Sequence, residues 1–388
     1  MPQPFLPYGR QSIDDSDIEA VARVLRSDWL TTGPEVDAFE ADFAAVTGAG
    51  HAIACSNGTT ALHLALAGLG VGPGDVCIVP AITFMATANA AIYCGADVVF
   101  ADVDADTGLM TADTLRQAVA RAPGGRSRAV LPVHLAGQCE DMAALRDIAT
   151  AAGAVLVEDA CHALGTRWQG RPVGAGQYSD AACFSFHPVK TIAAGEGGMV
   201  TTNDPGLAAR LRRLRSHGIE RDPAQMERGQ DEPWWHEMQA LGWNYRLCDV
   251  QAALARSQLA RLDAFAAKRK SLAAAYDALL DGHPVVRALA RTPDCDPCLH
   301  LYAVRIDFAA ADTDRATVMR ALQAQGIGSQ VHYIPVPSQP WYRRRYGDQT
   351  LPGAAAYYQR TLSLPLFADM RSDDPQRVVT ALNEVLGT

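Results

Sequence analysis

The sequence predicts an α/β protein, with a large domain built on a mostly parallel sheet and a smaller C-terminal α+β domain. Three observations predict it. Between about residues 50 and 202, short apolar runs (76–80, 97–101, 128–133, 154–159) alternate with alanine-rich helical stretches (58–69, 84–94, 139–152). Strand–helix repetition of this kind implies parallel strands with helices on both faces. The tail, 281–388, mixes a strand at 301–307 with helices at 314–325, 354–360 and 374–386 and proline-rich turns. Finally, 388 residues is long for one core. The expected division is 1–250 for an N-terminal segment plus the large domain, and 251–388 for a long linking helix and the small domain.

Taken in order, Ser12-Ile13-Asp14-Asp15 opens a helix to about Leu25, with Asp15 or Ser12 as cap. Trp29 to Pro34 is a turn-rich loop, and a second helix follows at 35–46. Ser56-Asn57-Gly58-Thr59-Thr60-Ala61-Leu62 stands where a strand turns into a helix. Beyond 203, a helix at 205–215 leads into a polar, irregular loop, 218–242, rich in Trp, Glu and Gln. Asp249 then caps a long amphipathic helix from about 250 to 280. There are no internal repeats.

Composition narrows the function classes. A net charge of -9 without a basic block argues against nucleic acid as a partner. The N-terminus, Met-Pro-Gln-Pro-Phe-Leu-Pro-Tyr, lacks a charged stretch followed by an apolar one, and no apolar run is long enough to span a bilayer. A cytoplasmic protein is expected. The nine cysteines give no complete disulfide framework. Cys77, Cys94 and Cys183 sit in apolar runs and read as small buried hydrophobes. Cys295-Asp-Pro-Cys298, with His300 nearby, has no second pair at zinc-site spacing and reads as surface loop, so no metal is expected.

The chemistry is concentrated around Lys190. It follows the apolar run Ala181 to Phe186 and precedes Gly195-Glu196-Gly197-Gly198 and a second run, Met199 to Thr202. A lysine in a glycine-rich turn between buried strands suits an amine that must lose its proton and attack a carbonyl. About thirty residues upstream, Val155-Leu156-Val157-Glu158-Asp159 ends an apolar strand in a carboxylate. Together they suggest a pyridoxal phosphate (PLP) site, with Lys190 on the aldehyde as a Schiff base and Asp159 on the pyridinium nitrogen. Asp159 would otherwise need Arg or a helix N-terminus, since an unpaired buried carboxylate is costly. The turn at Gly58 and Thr59 is either an ordinary helix cap or, beside Lys190 and Asp159, a phosphate cup. Phe84 reads by default as core, alternatively as a ring stacked on a flat cofactor. His162 would reach the cofactor's phenolic oxygen or be a satisfied loop histidine. Ser185 would donate to the phosphate or merely line a strand. Asn244-Tyr245-Arg246 is either the chemistry of a helix start or an anion contact across a subunit interface. His332, in Val331-His332-Tyr333-Ile334-Pro335-Val336, is structural or meets substrate.

In this order the residues resemble the DegT/DnrJ/EryC1/StrS nucleotide-sugar aminotransferases over nearly the whole chain. The motifs are Ser-Asn-Gly-Thr at 56–59, Glu-Asp-Ala-Cys-His at 158–162, Ser185 to Lys190 with Gly-Glu-Gly-Gly at 195–198, and Asn-Tyr-Arg at 244–246. Within that family the chain is similar to the UDP-4-amino-4,6-dideoxy-N-acetyl-β-L-altrosamine transaminases of pseudaminic acid biosynthesis. The matching stretches are Pro7 to Asp15, Ser27 to Pro34, Pro132 to Gln138, Phe184 to Lys190, Arg215 to Gly218 and Gln330 to Val336. Cys161, in place of the usual Ala, and Ile192-Ala193-Ala194, in place of a more polar run, depart from the pattern.

The resemblance implies a PLP-dependent transferase of the aspartate aminotransferase fold, fold type I. It implies Lys190 as the Schiff-base lysine, Asp159 as the pyridinium partner and His162 beside the ring. Phe84 would stack on the ring, and Gly58, Thr59 and Ser185 would contact the phosphate. Asn244 would be donated by the neighbouring subunit of a homodimer. Substrate would meet Tyr8, Arg10, Thr31, His332 and Tyr333, and Arg10, Arg215 and Arg246 are candidates for gripping uridine. L-glutamate would be the amino donor, pyridoxamine phosphate the intermediate form of the cofactor, and C4 of a UDP-linked 4-keto-6-deoxy-N-acetylhexosamine the acceptor. The alternatives are a sister enzyme for another UDP-, dTDP- or GDP-linked keto sugar, and a non-catalytic protein binding PLP or a nucleotide sugar.

Overall fold

A computed structural model describes residues 4–123, 127–228 and 232–388. Two helices, α1 (Asp15–Leu25) and α2 (Pro34–Thr47), precede the first strand. The cap of α1 is Asp14, neither Ser12 nor Asp15. Its carboxylate accepts from the Ser16 and Asp17 N–H groups while the Asp17 side chain returns to the Asp14 N–H. Asp14 stands three residues before Asp17, the spacing that closes a reciprocal box.

From β1 (His51–Cys55) the chain alternates: α3 (Gly58–Gly68), β2 (Val76–Pro80), α4 (Met85–Tyr93), β3 (Asp97–Ala101), α5 (Ala112–Arg121), β4 (Ala129–Val130), α6 (Met142–Ala151), β5 (Val155–Asp159). The helix α5 went unread in the sequence, although Thr111 and Thr114 form a capping box there. A small hairpin, β6 (Arg167–Trp168) and β7 (Arg171–Pro172), comes before β8 (Ala181–Ser185) and β9 (Gly198–Thr202). The large sheet has seven strands in the order β1-β9-β8-β5-β4-β2-β3. β3, β2, β4, β5 and β8 run parallel, and β9 is antiparallel to both β8 and β1.

Both faces of this sheet are covered, which is why its strands read as unbroken apolar runs rather than alternating ones. One face packs Ile53, Val79 and Val157 against Leu62, Leu66 and Ala88 of α3 and α4. On the other, Phe39 and Phe43 of α2 meet Phe184 and Phe186 edge to face at 5.1–5.6 Å.

After α7 (Pro205–Arg215), the stretch expected to be irregular carries a two-residue ladder, β10 (Ile219–Glu220) with β11 (Glu237–Met238). Residues 229–231 of that stretch lie outside the described residues. The single long helix expected from 250 to 280 is two, α8 (Asp249–Leu259) and α9 (Leu262–Leu280). Asp249 does not cap its own helix. Fully buried, its carboxylate accepts from the N–H groups of Gly33 and Glu35 at 2.9 and 3.0 Å, so it satisfies the start of α2 instead. α9 spans two cores. Leu262 and Phe265 join the sheet cluster, whereas Leu272, Tyr276 and Leu280 join a C-terminal one.

That C-terminal cluster is organised by the antiparallel strands β12 (Val286–Ala288), β14 (Tyr302–Ile306) and β15 (Thr361–Leu364), in the order β12-β14-β15. The intervening β13 (Cys295–Asp296) leaves them to pair with β6. α10 (Arg315–Ala324) and α13 (Asp374–Leu386) pack on this sheet, while α11 (Pro340–Tyr346) and α12 (Pro352–Arg360) lie between β14 and β15 in sequence. Leu6 belongs to the same cluster: its N–H donates to Gly326 O and its carbonyl accepts from Gly328 N–H. The stretch read as a surface loop, Cys295 to Cys298, is thus partly strand, and Cys298 is buried. Cys77 and Cys183 are buried as expected, while Cys94 is only partly so. Among the described residues no helix is long and apolar enough to cross a membrane.

Candidate active site

The candidate residues gather beyond the carboxyl ends of β5 and β8, where sites in open parallel sheets form. Neighbouring residues of a strand face opposite ways, and this separates two adjacent carboxylates on β5. Glu158 faces one side, where His134 Nε2 lies 2.8 Å away and Ser179 Oγ donates to it. Asp159 faces the other, accepting from Thr87 Oγ1 at 2.6 Å and from Cys161 N–H at 3.2 Å. Thr83 Oγ1 sits 2.7 Å from Thr87 Oγ1. These threonines, at the start of α4, fix the aspartate's orientation, and sequence reasoning missed them. Their only local signal is the spacing around Phe84.

Lys190 follows β8 in a turn that closes on itself, its N–H donating to His187 O at 2.8 Å and Ala194 N–H to Phe186 O at 2.9 Å. Ile192, Ala193 and Ala194 are buried, so the apolar departure in this run is a packing surface. Among the described residues the Lys190 ammonium meets no hydrogen-bond or ion-pair partner. Burial lowers its pKa below the ordinary lysine range, against the opposing pull of Cys161 and Asp159.

The helix α3 begins directly opposite. Asn57 caps it through Thr60 N–H, and the N–H groups of Gly58 and Thr59 meet no acceptor among the described residues. A Cβ at position 58 would stand 2.7 Å from Ser185 Cβ and 3.2 Å from Cys161 Sγ, so only glycine lets this turn approach β8 so closely. Burial pushes the Cys161 thiol well above its usual range.

His162 is buried, and its ring is 4.4 Å from that of His300. Ala136 N–H donates to its Nδ1 at 3.4 Å, and Tyr333 Oη lies 3.1 Å from Nε2. An accepting Nδ1 puts the proton on Nε2, which donates to Tyr333 and leaves the tyrosine's own O–H free to donate. Phe84 is half exposed at the mouth, its ring 6.0 Å from Tyr333; it is not the core residue that spacing alone suggested. His332 bonds Ser363 Oγ at 2.8 Å, with the Tyr8 ring 5.5 Å away. His300 and Ser363 arrive from the C-terminal core, and nothing local in the sequence marks them.

Other candidates stand apart. Arg10 reaches Asp369 at 3.4 Å and lies over Phe367. Thr31 is exposed in its loop and pairs by backbone with Cys248. Asn244 is exposed; the adjacent Tyr245 O accepts from Ser56 N–H at 2.8 Å, which sets this segment beside the start of α3. Arg215 is committed to the buried Glu40 and to Ala54 O at 2.7 Å, so it is not free to grip a nucleotide. Arg246 is partly buried and meets no partner among the described residues.

Three buried imidazoles make the site acid-sensitive. Burial first, then Lys190, holds His332 down to about 3. His162 and His300 are also held well below the usual range, chiefly by burial. Each binds a proton more readily unfolded than folded. Their stabilising effect is therefore complete above the unfolded value, near 6.5, and is lost as pH falls towards about 3. Urea unfolding of the cofactor-free chain should show stability falling between pH 6 and 4 by up to about 4 kcal/mol per pH unit from these three groups. A flat profile there would contradict the neutral, buried assignment.

The residues fit pyridoxal phosphate. An amine and a carboxylate stand at the ends of neighbouring parallel strands. Unengaged N–H groups open a helix toward them, and a glycine admits the close approach. The comparisons with known proteins agree. A profile of the DegT/DnrJ/EryC1/StrS aminotransferase family matches residues 11–383. The spore coat polysaccharide biosynthesis protein SpsC of Bacillus subtilis is 38% identical over 385 residues, covering 98% of this chain and 97% of that protein. PseC of Helicobacter pylori, an aminotransferase involved in the biosynthesis of pseudoaminic acid, superposes with a TM-score of 0.91 at 27% identity, over 99% of each chain. A putative sugar aminotransferase of Streptococcus pneumoniae, Spr1654, solved in a PLP form, superposes at 0.88 with 28% identity, over 99% of each chain; its PMP form gives the same score.

Proposed function

This chain belongs to the DegT/DnrJ/EryC1/StrS aminotransferase family, a PLP-dependent sugar aminotransferase, and from that premise we propose its reaction. It moves an amino group from L-glutamate to C4 of a UDP-linked 4-keto-6-deoxy-N-acetylhexosamine, giving UDP-4-amino-4,6-dideoxy-N-acetyl-β-L-altrosamine. The observation that carries this choice of sugar is the full-length likeness to PseC. A second reading, another nucleotide-linked keto sugar, is favoured by the higher sequence identity to SpsC.

Bound pyridoxal phosphate supplies the electron sink that makes the donor's α-hydrogen acidic. The chain's own residues do the rest. Lys190, its proton already loosened by burial, would hold the cofactor at its aldehyde and, when free, would serve as the base that moves the donor's α-proton. Asp159, aimed by Thr87 and the Cys161 N–H, holds the proton on the pyridine nitrogen. Gly58 and Thr59 N–H and Ser185 Oγ hold the phosphate at the positive end of α3. His162 and Phe84 would flank the cofactor ring. Tyr333, with its O–H left free by His162, would donate to the bound sugar beside His332 and Tyr8. We further propose a cytoplasmic homodimer with shared sites, in which Asn244 of one copy reaches the phosphate of the other. The exposure of Asn244, and of Phe84, Met85 and Tyr93 on and beside α4, supports it.

A single-turnover experiment tests the substrate. The protein is loaded with pyridoxamine phosphate and given the UDP-linked 4-keto-6-deoxy-N-acetylhexosamine of the L-arabino series. The expected result is the 4-amino sugar by mass, with the cofactor returned to its aldehyde form. No product, while a dTDP- or GDP-linked keto sugar reacts, overturns the sugar and keeps the family.

A further inference from the structure

We propose that Cys139 and Cys295 form a reversible disulfide, a redox modification site that fastens segment 289–300 of the C-terminal part to the loop before α6. Their sulfur atoms stand 3.7 Å apart although 156 residues separate them in the chain. A disulfide requires closing to about 2 Å, a small displacement for two side chains whose backbones are already pinned. Beside Cys139, the Gln138 amide donates to Ala290 O at 3.1 Å and its carbonyl accepts from Thr292 N–H at 3.3 Å. Cys295 itself pairs through β13 with Trp168 of β6.

The nearby Cys298 does not compete. It is buried, its N–H donates to Thr166 Oγ1 at 3.0 Å, and its sulfur lies toward Gly165, where a Cβ would stand 3.3 Å away. Of the Cys-Asp-Pro-Cys run, only the first cysteine meets another thiol.

The two sulfurs are unequal in the way exchange requires. Cys295 is partly exposed, Cys139 fully buried. The Cys295 thiol is held down to about 6, first by the hydrogen bond from Cys139, while that bond and burial raise Cys139. The Cys295 thiolate attacks an external low-molecular-weight disulfide such as glutathione disulfide. The S–S bond of that disulfide breaks, one thiol leaves, and Cys295 carries the other half. Cys139 then gives up its proton and attacks Cys295 Sγ, and the second thiol leaves. Two protein thiols are oxidised by two electrons, and one external disulfide is reduced to two thiols.

The clasped segment continues to His300, whose N–H donates to Ala136 O at 3.0 Å. The link therefore braces the floor under His162 without touching Lys190 or Asp159, and its effect is on stability.

The test uses the full-length protein, reduced, freed of reductant and equilibrated with glutathione disulfide, then digested with trypsin without reduction. The expected product joins the peptide from Ala129 to Arg146 with that from Thr292 to Arg305, at a mass two hydrogens below their sum, and dithiothreitol reverses it. Cys295 and Cys298 share one tryptic peptide, so Cys298→Ser should leave the cross-link intact and Cys295→Ser should abolish it. The oxidised wild type should melt higher than the reduced form, and Cys139→Ser should show no such difference. A stable mixed glutathione disulfide at Cys295 with no internal link, or a link from Cys295 to Cys298, overturns the proposal.

Discussion

Lys190→Ala should abolish turnover while leaving the fold intact. Proton transfer by a placed side chain commonly contributes 10²–10⁴-fold, and Lys190 is assigned both that task and the covalent hold on the cofactor. The loss should therefore exceed roughly 10⁴-fold. Borohydride trapping gives an independent readout. The wild-type peptide carrying Lys190 should gain the mass of the reduced cofactor, and the variant should gain none at any lysine. The depressed pKa of Lys190 adds a pH signature. An ordinary lysine at pH 7 is neutral in about one molecule in three thousand. Because burial disfavours the ammonium, the cofactor-free protein should take up PLP covalently at neutral pH much faster than an exposed lysine would. Folded Lys190→Ala protein that still turns over substantially would end the assignment.

Asp159→Asn carries the second large effect. The substitution keeps the shape and an oxygen for Thr87 to bond, but it removes the charge that would hold a proton on the pyridine nitrogen. A single preorganised electrostatic contact of this kind is worth about 10²–10³ in rate, so turnover should fall by that factor and PLP should bind more weakly. The informative control is the next residue along the strand. Glu158 is just as buried but faces His134 and Ser179 on the opposite side of the sheet. Glu158→Gln should lower stability, because a buried partner is left unpaired, while the folded protein keeps its turnover. Equal turnover losses in the two variants would mean that Asp159 acts only through packing. Turnover within tenfold of wild type in Asp159→Asn would remove it from the chemistry altogether.

Much of this was legible in one dimension. The alternation of apolar runs and alanine-rich stretches marked the parallel sheet because burial on both faces is written directly into each strand. Asp159 stood out because it ends an apolar run with a carboxylate, and Lys190 because it puts an amine in a turn between two apolar runs, charges that the interior does not tolerate without purpose. Gly58 was legible as a turn, though not the reason for it, which is the Ser185 side chain lying where its Cβ would be. The reading went wrong where an element's partner is distant. Asp249 has the position of a cap for α8, yet its carboxylate serves α2, more than two hundred residues earlier. The helix expected to run unbroken from 250 to 280 divides near Ala260 and Arg261, and α9 alone then carries apolar residues into two separate cores.

The sequence by itself determined the alternation of the main strands and helices around the site, the family resemblance, and which charged residues stand near strand ends, because periodicity, capping and turn chemistry act over a few residues. Only the tertiary structure decided that Tyr333 bonds His162, that His300 lies against that ring, that Arg215 is occupied by Glu40, and that Cys295 meets Cys139 rather than Cys298. These pairs join segments brought together by the packing of the sheet layer against the C-terminal core. No local pattern encodes a contact whose two halves are fixed by different hydrophobic clusters.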